Sequence, residues 1–233
     1  MTVRKIVPDW LANIKRLIFE TTNLCNMHHL RCPATKETEP KHLPLFQVIE
    51  TMNLFGGWGW HGTVGFHNYC EPLMEPRLFV FVREARDRGW PVQIWTNGSL
   101  LSQQIVDELI LAGVAEFSVS LYTVSETERL TALDWGLAKV HLHPSQRLDD
   151  RLDWSTKPEQ DDPRRCFWPQ GNALIRHDGT VALCCFDWQN WNASAKLGDD
   201  SLWRLLEERA VVAEALAEGE RDLPFCRRCP IGP

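Results

Sequence analysis

From residue 16 to residue 144 short β-rich runs alternate with helix-patterned runs, and few arrangements of a chain satisfy that order. RLIFETT at 16–22 is apolar and β-rich and feeds a cysteine-bearing loop. LPLFQVIETMNLF at 43–55 has helical spacing and is stopped by Gly56 and Gly57, while TVGFHNY at 63–69 alternates as a strand. PRLFVFVREARDRG, ending at Gly89, and SQQIVDELILAG, with Ser102 as N-cap and Gly113 as its stop, read as helices. PVQIWTNG, VAEFSVSLYT and LAKVHLHP read as strands, with ETERLTAL a short helix before the last. Five strands alternating with helices over short connections predict an α/β fold, a parallel sheet curled into a partial (β/α) TIM-like barrel over 12–145. Functional residues of such sheets gather at the carboxyl ends of the strands. Cys25 and residues 68–72, 96–98 and 118–122 all fall there.

The pattern changes after about residue 144. A polar, proline-containing stretch leads to CFWPQGNALIRHDGTVALCC, which reads as a β-hairpin turning at His177, Asp178 and Gly179. SLWRLLEERAVVAEALAEG follows as a helix capped by Ser201, and the tail carries a CxxC at Cys226 and Cys229. Residues 146–233 are therefore expected to form a small cysteine-rich domain of hairpin plus helix.

Eight cysteines in 233 residues need a chemical reason. The N-terminus lacks the apolar core of a signal peptide, which predicts a cytoplasmic protein whose thiols bind metal rather than pair as disulfides. A net charge of −6 without a Lys/Arg block argues against nucleic acid as a partner, and no apolar run reaches membrane-spanning length. Eleven Trp against two Tyr is unusual, and most are expected in the core or in pocket walls. His141 and His143 alternate along one strand and share a face, where they contact substrate or are satisfied polar groups.

The thiols form two groups. CNMHHLRC holds Cys25 and Cys32 with two histidines between them. In the second group Cys226 and Cys229 can bind one centre from a single turn, and folding of the hairpin brings Cys166 and Cys184 beneath them. Cys185 alternates to the opposite face of its strand and is expected to be buried. Four such thiolates suit a 4Fe-4S cluster or a structural zinc.

Together these residues resemble the radical S-adenosylmethionine (SAM) superfamily, in particular members with a C-terminal SPASM or shorter "twitch" domain of the small 2-deoxy-scyllo-inosamine dehydrogenase type. The resemblance runs from about Arg16 to Cys229. Cys25, His29 and Cys32 fall on the spacing of the family's Cys-x3-Cys-x2-Cys loop. Asn68-Tyr-Cys-Glu-Pro72 stands in place of its glycine-rich second-strand motif, and Thr96-Asn97-Gly98 and Ser118 to Tyr122 match the third and fourth strand ends. Cys166, Asp178-Gly179, Cys184-Cys185-Phe-Asp187 and the final CxxC reproduce the twitch pattern. The resemblance implies two 4Fe-4S clusters, the first on Cys25, His29 and Cys32 with Cys70 available to it, the second on Cys166, Cys184, Cys226 and Cys229. It implies SAM contacts from Asn68, Thr96, Asn97, Gly98 and Ser120, chemistry at Cys70 and Glu71, and an electron donor such as a flavodoxin or ferredoxin. By analogy the substrate is a small polar molecule of the sugar, cyclitol or nucleoside kind.

Three departures stand against that pattern: His29 for the middle cysteine, Arg31 for an aromatic residue, and side chains at both motif glycines, Asn68 and Cys70. Imidazole in place of thiolate raises a cluster's potential, which disfavours reductive SAM cleavage. The expectation is cluster chemistry that does not need SAM cleavage, by sulfur transfer or redox. The alternatives are a conventional radical SAM dehydrogenase or C–H functionalising enzyme, and a non-catalytic binding partner.

Overall fold

In the computed structural model, residues 8–28, 32–36, 39–144, 165–190, 196–198 and 201–229 are described. Seven strands make one open sheet in the order β5-β4-β3-β2-β1-β6-β7. β1 (Arg16–Phe19), β2 (Thr63–Phe66), β3 (Val92–Thr96), β4 (Val114–Leu121) and β5 (Lys139–Pro144) are the five strands expected from the alternation, and all pair in parallel. The helices between them are α2 (Leu45–Gly57), α3 (Leu78–Asp87), α4 (Gln103–Ala112) and α5 (Val124–Thr131), after a short α1 (Asp9–Asn13).

The caps act where they were expected. Ser102 Oγ accepts from the Ile105 amide at the start of α4, and Ser201 Oγ accepts from Arg204 at the start of α7 (Leu202–Glu218).

The hairpin strands β6 (Asn172–Ile175) and β7 (Val181–Ala182) follow α6 (Trp168–Gly171) and enter the same sheet. β6 lies parallel to β1, with Arg16 opposite Asn172 and Phe19 opposite Ile175, and only β7 runs antiparallel. The hairpin that leads into Cys184 is thereby seated beside the strand that carries the first cysteine loop. A last short helix, α8 (Pro224–Arg228), carries Cys226.

Strand periodicity divides the sheet into two faces. Leu17, Phe19, Val64, Phe66, Val92, Ile94, Phe117 and Val119 pack against the helices in the main core. Phe66 stacks on Phe19 at 6.1 Å and on Phe81 of α3 at 6.0 Å. Tryptophans fill the helix side: Trp60 meets Trp90 edge-on at 4.9 Å and donates to the Ile14 carbonyl at 2.7 Å, and Trp203 meets Trp10 and Trp58. On the opposite face Ile18, Leu174 and Ala182 form a smaller apolar patch with Trp168 and Cys185.

Candidate cluster-binding mouth

The strands β1, β2, β3 and β6 deliver their following residues to one end of the sheet. The base of the first cysteine loop is held by backbone: Leu43 N donates to Thr21 O at 2.8 Å and Asn23 N to Lys41 O at 3.2 Å. The Asn23 side chain closes the same join, accepting from Lys41 N and donating to Glu39 O, both at 2.8 Å. Cys25 emerges from this join beside β3, where Asn97 Nδ2 lies 3.9 Å from its sulfur. The Asn97 amide also donates to Asn26 Oδ1 at 2.8 Å, and Asn26 donates to Ser99 Oγ at 2.7 Å.

Glu71 clamps these loops together. Its amide donates to Leu24 O at 2.8 Å. Its carboxylate accepts from Thr96 Oγ1 at 2.7 Å, from the Asn97 amide at 2.8 Å and from the Leu73 amide at 3.1 Å. Burial pushes its pKa up, against the pull of those three donors. Gly98 completes the turn at φ +74°, and a Cβ there would stand 2.8 Å from Val119 Cγ1. Only glycine fits.

Cys70 adds a thiol to this mouth. Burial, and then the charges of Glu20, Glu71 and Cys25, push its pKa well above the ordinary thiol value. Burial likewise raises Cys25. Cys32 is among the described residues; His29 and Arg31 lie outside them. Ser120 sits on β4 opposite His143, on the face away from the helices.

Behind the loop after β2 stands a carboxylate that the sequence did not single out. Glu20, fully buried one residue past β1, accepts from Arg176 Nε at 3.2 Å, His177 Nδ1 at 2.5 Å, Asn68 Nδ2 at 2.5 Å and the Tyr69 amide at 3.0 Å. Burial opposes ionisation, but the Arg176 charge and the His177 and Tyr69 hydrogen bonds hold its pKa down at about 2. Arg176 also lies over the Tyr69 ring at 5.6 Å, and the Tyr69 hydroxyl donates to the Cys185 carbonyl.

The second thiol group is assembled from three elements. Cys166 is tied by its amide to Leu216 O of α7 at 2.8 Å, Cys184 follows β7, and Cys226 and Cys229 come from α8 and its end. The thiols act on one another: burial and then the charges of Cys184, Cys166 and Cys229 push the Cys226 thiol up to about 12. Cys184 is raised first by a hydrogen bond with Cys185, then by burial. Arg209 of α7 braces the group, donating to the carbonyls of Pro169, Asn172, Ala182 and Leu183. A metal centre takes such thiols as thiolates, releasing their protons on binding. Among the described residues no three His, Cys, Asp or Glu side chains converge on the position of a single ion. The soft, all-thiol donor set of Cys166, Cys184, Cys226 and Cys229 fits an iron–sulfur cluster, whose thiolates bind separate irons.

The face of the sheet away from the helices carries a row of rings. His67 stacks on Trp95 at 5.1 Å, Trp95 on His143 at 6.0 Å, and His143 on His141 at 6.2 Å. Gly65 gives the His67 ring its room, because a Cβ would come within 3.2 Å of it, and Ser118, opposite both Trp95 and His141, keeps the span between β3 and β5 clear. Trp95 is 43% exposed. Sequence periodicity pairs His141 with His143; their union with His67 and Trp95 depends on strand order.

Comparison with known proteins finds similarity in sequence and in fold. Residues 166–230 match the SPASM iron–sulfur cluster-binding domain. The chain is 45% identical over 114 residues to an AdoMet-dependent heme synthase of Methanosarcina barkeri, covering 48% of this chain and 32% of that protein. It is 26% identical over 136 residues to a tungsten-containing aldehyde ferredoxin oxidoreductase cofactor-modifying protein of Pyrococcus furiosus, covering 58% of this chain and 38% of that one. The chain thus spans about a third of the length of the curated relatives it matches. In fold it is similar to BtrN solved in complex with AdoMet and 2-DOIA, with a TM-score of 0.79 at 20% identity, covering 94% of this chain and 93% of that one.

Proposed function

We propose that this chain, a radical-SAM fold with a SPASM domain, is an iron–sulfur enzyme with two 4Fe-4S clusters that acts on a small polar substrate. The observation that carries the reading is the gathering of Cys166, Cys184, Cys226 and Cys229 inside the segment that matches the cluster-binding domain. These four would hold the auxiliary cluster; Cys25, His29 and Cys32 would hold the first, at the mouth framed by Glu71 and Asn97. A bound cluster supplies one-electron chemistry and inorganic sulfide; the chain's part is to orient and enclose. Glu71 and Asn97 fix the cysteine loop, and the row of His67, Trp95, His143 and His141 offers ring edges with N–H donors and imidazole acceptors to a hydroxylated ligand. The barrel portion is assigned to 12–145 and the auxiliary domain to 146–233, with a flavodoxin- or ferredoxin-like donor as redox partner.

A second reading, cluster chemistry without SAM cleavage by sulfur transfer or redox, is favoured by Cys70, whose thiol feels the Cys25 charge across the mouth. Anaerobic reconstitution, followed by reduction in the presence of SAM and assay for 5′-deoxyadenosine, separates this reading from the conventional radical-SAM route that cleaves SAM. Sustained formation of that product establishes the conventional route and removes the second. A protein that takes up no iron and shows no cluster EPR signal defeats both.

A further inference from the structure

Arg209 stands in the middle of α7 and is 8% exposed, a depth at which a guanidinium ordinarily has a counter-charge. Among the described residues it has no carboxylate partner. Its hydrogen bonds all go to main-chain carbonyls: Pro169 at 2.7 Å, Asn172 at 2.5 Å, Leu183 at 3.1 Å and Ala182 at 3.2 Å. Asp9, Glu207 and Glu214 line a cleft that reaches the same arginine, yet none of them makes an ion pair with it. Glu208, its neighbour on the helix, pairs instead with Arg204 at 2.9 Å. Carbonyl dipoles satisfy the N–H donors and leave the net charge unbalanced. Burial draws the Arg209 pKa down to about 10, so it stays protonated at neutral pH, and the charge that opposes this is that of Cys184.

The cation is tied to the thiol group by backbone. Ala182 and Leu183, which give it two of its carbonyls, are the residues that lead directly into Cys184. The same helix holds the Cys166 amide through Leu216 O. A second buried arginine, Arg221, follows the helix at 6% exposure. Burial raises the thiols of Cys166 and Cys226, and the charge of Arg221 works against that rise at both. Two buried cations thus flank the four cysteines from different sides of the set. An iron–sulfur cluster on those thiolates is anionic, and one-electron reduction makes it more so.

We propose that Arg209, seconded by Arg221, is the built-in counter-ion of the auxiliary cluster and raises its reduction potential by favouring the more negative, reduced state. The anion missing from the surroundings of Arg209 is then the cluster itself. This rests on the reading of Cys166, Cys184, Cys226 and Cys229 as a cluster site. It is independent of what happens to SAM at the other centre.

The test reads the auxiliary cluster alone, in the full chain carrying Cys25→Ser and Cys32→Ser and reconstituted anaerobically. Titration with dithionite, followed by EPR of the reduced cluster, gives the midpoint potential. Arg209→Gln should lower the ratio of reduced to oxidised cluster at a fixed potential by about tenfold or more, which is about 59 mV for a one-electron couple. Arg209→Lys keeps the charge and should stay near the parent. Arg221→Gln should shift the potential in the same direction as Arg209→Gln. Arg204→Gln, on an exposed face of the same helix, should leave it unmoved. A residue that merely braced four carbonyls would make both Arg209 variants less stable without a potential that follows charge. An unmoved potential in Arg209→Gln, or equal shifts in the Gln and Lys variants, overturns the proposal. If Arg209→Gln loads no cluster, Arg221→Gln decides, and an unmoved potential there overturns it too. A parent without any auxiliary signal would sink the cluster reading and this inference with it, whereas an intact signal indifferent to these charges sinks this inference alone.

Discussion

The Tyr69 hydroxyl donates to the carbonyl of Cys185, joining the loop after β2 to the residue beside a thiol of the second group. One phenol thus spans the two cysteine centres, with Arg176 over its ring. Tyr69→Phe keeps the ring and removes the hydroxyl, so it should lower stability by about 1 kcal/mol in chemical denaturation. Iron content should not change. A loss of iron from the variant would mean the bond governs assembly and not merely stability.

Glu20 makes stability depend on acid. Its folded pKa, about 2, lies below the ordinary 4.5. A carboxyl depressed on folding contributes stability that is complete above 4.5 and disappears as pH falls towards 2. Glu20→Gln should flatten that part of the pH profile in urea titrations. At neutral pH it should cost on the order of 3 kcal/mol, because Arg176 is left buried without its counter-charge.

Gly98→Ala should destabilise by about 1–3 kcal/mol, since its Cβ would be driven into Val119 and Leu130 while the backbone stays at positive φ. A shift in the thermal or urea midpoint measures it. An unaffected midpoint would show that the Thr96–Gly98 turn can move.

Cys184→Ser should lose about half of the iron, as expected when one of two clusters is lost and the other kept. Cys185→Ser should keep the full content, because Cys185 packs towards Ile18 and Leu174 on the face away from the helices. Iron assay and EPR of the two variants distinguish a cluster ligand from its neighbour. Equal losses would reassign the pair.

His29→Cys should retain the first cluster at a lower midpoint potential, because thiolate stabilises the oxidised form better than imidazole does. Redox titration followed by EPR reads the change. An unaltered potential would mean that His29 is not an iron ligand.

The alternation along residues 16–144 made the parallel strands legible, because each alternation is local and Ser102 and Ser201 announce their helices with side chains that can cap. Long-range pairings were not legible. The position of β6 beside β1 follows from hydrogen bonds between residues some 156 apart, and nothing in NALI says which strand it will join. For the same reason Glu20 reads in sequence as the end of an apolar run, although Arg176 and His177 lock it from the far end of the chain. His141 and His143 were matched by periodicity, whereas His67 and Trp95 joined them only once strand order was known. The short α8 around Cys226 was hidden by its CxxC, whose spacing fits a loop as well as a turn of helix.

The seating of β6 against β1 also sets a timetable for folding. β1 is made among the first residues, yet one of its two hydrogen-bonding edges has no partner until the chain has run past residue 172. An incomplete chain therefore presents an open strand edge in the middle of its future sheet, the kind that recruits other chains. Fragments that stop before α6 should aggregate as they emerge, because β6 is the element that closes that edge.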